Sequence, residues 1–448
     1  MPVAALTTLG CKVNQYETEK IADDFVRAGF TLVEFDNPAD VYVINTCSVT
    51  QAADKKSRYL ARRAQRNNPA AVVALTGCHT QQVIDDGGWV EGATVLIPND
   101  KKMDAFSIVM TQCPDLAMMS SSPATLPPRA KRTRATLKIQ DGCEHFCGFC
   151  QIPYTRKVLM SRPFDEVIEE ARLFGISGCK EVVVTGVCVG AYGPSSGSQG
   201  PVLADVLRHV SEQPGIERVR LSSIQPIEVT DDIVDAYASS TRLCPHLHLS
   251  CQSGDDTILR AMNRPYTTAF YEALVDKLRS RIPDVAITTD LIVGYPGETE
   301  AMHQNTLQFA QRIGFQKTHV FRYSPRPRTK GADLVDDVDD ETKKRRHAEL
   351  QAMVDASNRA FAANYIGREM PVLLENSEGS SGILTGYTTN YIRVTATAPK
   401  TFIGNVVNVG LSALTNDGIA GIIMDVGDVA QAPFQRGLTF DLPLAPPE

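Results

Sequence analysis

The residues best suited to chemistry in this chain are its cysteines. Asp141-Gly142-Cys143-Glu144-His145-Phe146-Cys147-Gly148-Phe149-Cys150 places three thiols in one loop, with C-x3-C-x2-C spacing, directly after an apolar strand. Three such thiolates can hold three corners of a cubic iron–sulfur cluster and leave one iron open to another ligand. A structural zinc ion wants four ligands in a closed tetrahedron, usually from two separated pairs, and no fourth Cys or His follows at such a distance. Zinc and inert thiols are the competing readings.

A second set emerges once the strands are drawn. Cys11, Cys47 and Cys78 stand 36 and 31 residues apart, in Leu9-Gly10-Cys11, Asn45-Thr46-Cys47 and Thr76-Gly77-Cys78. Each follows an apolar strand. In an open parallel sheet the carboxyl ends share one edge, where ligands bind, so three thiols at strand ends converge. Two follow glycine, which permits a tight turn and close approach by a bulky inorganic group. The plainer alternative is three buried structural cysteines. Cys113, Cys179, Cys188, Cys244 and Cys251 lack the pattern and read as structural, although Cys188 and Cys251 stand near strand ends.

The elements that carry these residues follow from hydrophobic period. Residues 1–112 alternate short apolar strands, Val3–Leu9, Asp40–Asn45, Val72–Thr76 and Thr94–Ile97, with helical patterns such as Ile21, Phe25 and Ala28. That predicts an open parallel α/β domain covered on both faces. Residues 113–134, rich in Pro, Ser and Met, read as a linker. From 135 to 365 the strands Leu137–Gln140, Glu181–Thr185, Arg218–Ser222, His246–Ser250, Ala286–Val293 and His319–Tyr323 predict a partial (β/α)6 TIM-like barrel, since a full one needs eight. A long helix with Leu350, Val354, Phe361 and Tyr365 on one stripe ends at Gly367. Short strands then predict a small antiparallel β-barrel over 366–430, with a loose tail at 431–448.

Composition bounds the function. The chain has 448 residues, 43% hydrophobic and 22% charged, which excludes wholesale disorder. No apolar run reaches the ~18–20 residues of a membrane span. The amino terminus lacks a secretory pattern, so a cytoplasmic location is expected and the eleven cysteines read as metal or redox groups rather than disulfides. A net charge of −7 argues against indiscriminate nucleic-acid binding, and residues 366–448 are acidic on balance, at −4. Basic residues still cluster: Arg129, Lys131, Arg132 and Arg134; Arg322, Arg326, Arg328 and Lys330; and Lys55, Arg58, Arg62 and Arg66 at helical spacing. The last set is either a solvated helix face or a surface for phosphates.

With both cysteine sets, the chain resembles the methylthiotransferases, radical S-adenosylmethionine enzymes with an amino-terminal cluster domain, a partial barrel and a TRAM domain. The resemblance runs from Cys11 to about Asp425. It also rests on Thr185-Gly186, Arg220-Leu221-Ser222-Ser223, Gln252-Ser253-Gly254-Asp255, Asp290 with Gly294-Tyr295-Pro296-Gly297-Glu298-Thr299, and Tyr323-Ser324-Pro325-Arg326. Leu9-Gly10-Cys11-Lys12-Val13-Asn14-Gln15-Tyr16-Glu17 looks most like the MtaB branch, which acts on N6-threonylcarbamoyladenosine beside the tRNA anticodon. His79, Lys157, Ser250-Cys251, Arg328 and Gly331 depart from the family pattern without removing a cluster cysteine.

The resemblance implies that Cys143, Cys147 and Cys150 hold a 4Fe–4S cluster that binds S-adenosylmethionine, with Phe149 against its adenine and Gly186 beside its methionine end. It implies a second 4Fe–4S cluster on Cys11, Cys47 and Cys78, bearing the sulfur to be inserted. The implied partners are a tRNA anticodon loop, with Lys55, Arg58, Arg62, Arg66 and Arg326 on its phosphates, a reducing electron donor and a sulfur source. The same chemistry on isopentenyladenosine or on a ribosomal-protein aspartate is the alternative. A non-catalytic iron–sulfur RNA-binding protein or sensor is a reading of another class.

Overall fold

The computed structural model describes residues 1–113, 133–194, 199–378 and 382–424. Arg129, Lys131, Arg132 and the tail at 431–448 lie outside them. The amino-terminal sheet has five parallel strands, β1 (Val3–Thr8), β2 (Thr31–Val33), β3 (Val41–Thr46), β4 (Val72–Gly77) and β5 (Val95–Leu96), in the order β2-β1-β3-β4-β5. Successive residues point to opposite faces, and both faces are covered. Leu6, Val43 and Ala74 pack with Ile21 and Phe25 of α1 (Lys12–Arg27). Ala5, Ile44 and Leu75 pack with Leu60 and Ala64 of α2 (Gln51–Asn67). That double burial is why the strands read as unbroken apolar runs. Between β1 and β3 the strand order reverses, which opens a crevice beyond their carboxyl ends.

The second unit begins at β6 (Arg134–Lys138), three residues before the apolar run, so Arg134 belongs to a strand and not to the linker. A hairpin of β7 (Gln140–Asp141) and β8 (Met160–Ser161) frames the cysteine loop. The parallel strands β9 (Glu181–Thr185), β10 (Arg218–Leu221), β11 (His246–His248), β12 (Ala286–Val293) and β13 (Lys317–Arg322) follow. Two three-stranded sheets, β6-β9-β10 and β11-β12-β13, are joined by the bridges Val219–Leu243 and Ile224–Leu249. Six strands therefore run round a partial barrel in sequence order.

The helix Asp340–Ala363 belongs to two cores: Leu350 and Val354 pack on the partial barrel, Ala362 on the last unit. There β14 (Glu369–Glu378), β15 (Ile383–Thr388), β16 (Arg393–Thr397), β17 (Val406–Leu414) and β18 (Ile419–Ile423) close in the order β14-β15-β16-β18-β17. The expected antiparallel pairing fails at one seam, where β16 and β18 run parallel. A closed ring of five strands cannot alternate direction all the way round, so one parallel pair is unavoidable. Among the described residues, no helix is long and apolar enough to cross a membrane.

Candidate functional site

Cys11 precedes α1, Cys47 follows β3, and Cys78 opens α3 (Cys78–Asp85). Thr46 pairs with Gly77 across β3 and β4, so Cys47 and Cys78 leave the sheet side by side. Gly10 and Gly77 have φ of +88° and +97°, which side chains rarely adopt. A Cβ on Gly10 would stand 2.5 Å from Cys47 Sγ. The space that glycine frees is thus taken by the second thiol itself. Burial pushes Cys47 up to about 12; the Val49 amide lowers it, and the charges of Cys11 and Cys78 raise it further. Burial also raises Cys11, with Arg156 opposing and Cys78 reinforcing that shift, although the residue opens to solvent. Together these mark a thiol lining a cleft.

Cys143, Cys147 and Cys150 lie between β7 and β8, past the carboxyl end of β6. Arg264 donates one N–H to Cys147 Sγ at 3.2 Å, while its other nitrogens hold the Tyr266 hydroxyl and the Ser250 carbonyl. Burial still raises Cys147, and pushes Cys150 up to about 12. Cys143 is lowered to about 6, chiefly by a hydrogen bond from Cys188. Cys188 also lies 2.9 Å from Glu228, whose carboxylate holds His145 at 3.0 Å. Cys188 therefore belongs to the site and is not merely structural.

The donor sets differ in compactness. Cys143, His145 and Cys188 bring their ligand atoms within 4.8 Å of one another, and among the described residues neither cysteine triplet does so. A tetrahedral zinc ion sets its sulfurs about 3.8 Å apart. Neither triplet is that compact, and three thiolates that leave one corner open are the donor set of a cubic cluster. Cys11 and Cys47, each raised by burial and further by the neighbouring thiols, would be held as thiolates by a bound cation.

The two triplets occupy facing edges. Gln151, next after Cys150, donates to the carbonyl of Ser48, next after Cys47, at 2.9 Å. Asn99 donates to the Thr155 carbonyl at 2.8 Å. Beside these contacts the buried Glu17 of α1 receives Arg156 at 2.9 Å, Lys102 at 2.7 Å and Lys138 at 2.6 Å. Burial alone would raise the Glu17 carboxyl; the cations more than offset it and hold it well below the usual range. Arg156 also bonds Asn14 at 2.7 Å and Asp141 at 2.6 Å. This network fixes the helix that follows Cys11 onto the strand that leads to the cysteine loop.

The other sequence-derived residues fall as follows. Phe149 is half-buried against Ile258, Met262, Ile292, Tyr295 and Tyr323, in the wall beside Cys150. A Cβ on Gly186 would stand 3.0 Å from Gln140, whose side chain accepts from the Cys188 amide. Lys55, Arg58, Arg62 and Arg66 are all exposed along α2, while Ser57, Leu60 and Ala64 turn inward. Arg326 is only 2% exposed and grips Asp54 at 2.7 Å. It braces α2 rather than facing solvent. Arg264, Glu228 and Glu17 were not foreseen, because their partners lie far away in sequence and no local spacing marks them.

The model of the Radical SAM superfamily matches residues 137–310, and that of the Uncharacterized protein family UPF0004 matches residues 3–86. The chain is 36% identical over 423 residues to the threonylcarbamoyladenosine tRNA methylthiotransferase MtaB of Bacillus subtilis, covering 91% of this chain and 93% of that protein. The protein of the same name from Thermotoga maritima is 36% identical over 436 residues, 95% and 98% of the two chains. The tRNA-2-methylthio-N(6)-dimethylallyladenosine synthase of Bordetella petrii is 35% identical over 446 residues, 95% and 92%. Among solved structures, the radical S-adenosylmethionine methyltransferase TsrM from Kitasatospora setae aligns with a TM-score of 0.52 over 85% of this chain and 79% of that one. At 12% identity that is a likeness of fold alone. From its likeness to these relatives along nearly the whole length, and with both cysteine triplets in place, the chain belongs to the radical S-adenosylmethionine methylthiotransferase family.

Proposed function

We propose that the protein inserts a methylthio group at C2 of N6-threonylcarbamoyladenosine beside the tRNA anticodon. The observation that carries this reading is the pair of cysteine triplets on facing strand-end edges, tied by the bond between Gln151 and Ser48. The relatives named for that nucleoside support the substrate. Cys143, Cys147 and Cys150 would hold one 4Fe–4S cluster with S-adenosylmethionine, and Cys11, Cys47 and Cys78 a second. When bound, these groups supply a carbon radical able to take an unpolarised C–H hydrogen, and the sulfur that replaces it.

The chain's own residues position and enclose. Arg264 fixes Cys147, and His145 with Glu228 and Cys188 fixes Cys143. Phe149 and the apolar residues behind it give a dry wall for an adenine ring. Residues 1–112 would carry the sulfur-bearing cluster, 135–365 the radical chemistry, and 366–430 an RNA-facing barrel. An unstacked anticodon-loop base is the form of RNA that a protein pocket can read. Lys55, Arg58 and Arg66 on α2 would track its phosphates, while Arg62 beside them pairs with Glu91 at 3.3 Å. The reaction would take place in the cytoplasm, with an electron donor and a sulfur source.

The test gives anaerobically reconstituted protein, S-adenosylmethionine and a reductant to anticodon stem–loops carrying either threonylcarbamoyladenosine or dimethylallyladenosine. Mass spectrometry of the released nucleosides reads the result. Methylthiolation of the first alone supports the proposal; of the second alone, it transfers the enzyme to the other nucleoside. Cleavage of S-adenosylmethionine with neither RNA modified sinks the tRNA reading.

A further inference from the structure

Beside the cluster loop, the partial barrel gathers a second set of metal-ligating side chains. The sheet order β6-β9-β10 sets the cysteine loop, the turn after β9 and the turn after β10 next to one another. The first supplies Cys143 and His145, the second Cys188 and the third Glu228. Two sulfurs and one ring nitrogen, from Cys143, Cys188 and His145, lie within 4.8 Å of one another, and among the described residues no other such group does so. Glu228 Oε1 meets both His145 Nε2 at 3.0 Å and Cys188 Sγ at 2.9 Å, while its other oxygen accepts from the Gln225 amide at 3.1 Å. The backbone around the set is held as well. Gln140 accepts from the Cys188 amide at 2.7 Å and donates to the Gly142 carbonyl at 2.8 Å, and Asn263 donates to the His145 carbonyl at 3.0 Å. Cys188 is buried, whereas Cys143 and His145 are half-buried and keep a side open to solvent.

Two thiolates and an imidazole suit a borderline-soft divalent cation; magnesium and calcium want oxygens. The geometry points to a single-ion zinc site on Cys143, His145 and Cys188, with solvent in the fourth position. Zinc binds sulfur at about 2.3 Å and nitrogen at about 2.0 Å, so its donors stand roughly 3.5–3.8 Å apart, and small side-chain turns bring these three to that span. Glu228 is the outer partner, a carboxylate that orients the imidazole and raises its basicity. Binding exchanges two thiol protons for the ion, with no change of oxidation state, and Glu228 already accepts from the Cys188 thiol. The site shares Cys143 with the cluster triplet. One thiolate cannot complete both, so zinc here and a cluster on Cys143, Cys147 and Cys150 exclude each other. That exclusion rests on the reading above, in which Cys143 carries a cluster; the ion site rests on its own donor set.

The test titrates the full-length, iron-free chain with zinc alone, anaerobically, against a chromophoric chelator. Wild type should hold one more tight zinc ion per chain than Cys188→Ser, and Cys150→Ser, which breaks only the cluster triplet, should keep that ion. Glu228→Gln should weaken it about tenfold to a hundredfold. Zinc held by Cys188→Ser as tightly and in the same amount as by wild type overturns the proposal. So does a Cys150→Ser chain that holds no more than Cys188→Ser, because the ion then needs the cluster triplet. Should Cys188→Ser fail to fold by circular dichroism, His145→Gln takes its place with the same two outcomes. One equivalent of zinc given to wild type before iron and sulfide should then lower the iron taken up by about four atoms per chain against the zinc-free control. Undiminished iron overturns the exclusion. Failure of the zinc-free control to take up iron sinks the proposed function instead, and the zinc titration still judges this site separately.

Discussion

Replacing Glu17 by glutamine tests whether the buried ion network holds the amino-terminal sheet on the barrel. Glu17 has no exposed surface, and Arg156, Lys102 and Lys138 lie 2.6 to 2.9 Å from its oxygens. Glutamine keeps the shape and removes the charge, leaving three cations around an amide. Breaking a buried pair by removing one partner costs about 3–5 kcal/mol. Asp141 still reaches Lys138 at 2.5 Å and Arg156 at 2.6 Å, which puts the expectation near the lower end, about 3 kcal/mol. Calorimetry should show a transition lowered by about 6–12 °C. The pH dependence has a definite sign. The folded carboxyl is held below its ordinary 4.5, so its contribution is complete above pH 4.5 and is lost as pH falls toward the folded value. The gap between wild type and Glu17→Gln should thus be full at pH 7 and close in acid. Loosened docking should also leave S-adenosylmethionine cleavage while reducing methylthiolated product. A variant within about 1 kcal/mol of wild type at pH 7 would refute the reasoning, as would a gap that widens in acid.

Three further outcomes follow from the site. Cys78→Ala should lower iron by about four atoms per chain and leave about four on the other triplet; loss of all iron, or of none, would mean that the sets are not separate. Arg264→Met removes an N–H donor from Cys147 Sγ and should move the corresponding cluster potential on the order of 40 mV negative, equivalent to ~1 kcal/mol for one electron, read by redox-poised EPR. Gly10→Ala places a methyl 2.5 Å from Cys47 Sγ at a φ of +88° and should deplete iron from that triplet. Gly87→Ala, with a φ of +67° and nothing within 4 Å, should cost only backbone strain of about 1 kcal/mol and spare the iron.

The strands that position the cysteines were legible because β3 and β4 are buried at every position and so stand out as apolar runs. That burial also carried the inference from strand ends to a shared edge. β2 gave no such signal, since its three residues lie exposed or half-buried at the sheet margin. Arg134 was read with the linker because its partner Glu375 lies 241 residues away. Cys188 was passed over for the same kind of reason. Its place near a strand end is the one local sign, shared with Cys251, and only the fold brings it to Cys143, His145 and Glu228.

The basic residues make the limit of sequence reading physical rather than statistical. A run of arginines has the same composition whether it meets solvent, phosphate or a distant acid. Arg326 finds Asp54, 272 residues away, and Arg328 finds Asp85 and Asp86. These acids sit on or just past α2 and α3, so the arginines pin the two helices that flank the Cys47 and Cys78 loops to the barrel. Among the described residues, the outer face of α2 keeps a cationic surface, with Lys55, Arg58 and Arg66 exposed and Arg62 paired with Glu91. A face pinned from beneath by Arg326 is held in fixed relation to the cysteine cleft. Phosphates tracked along it would then set where the unstacked base enters.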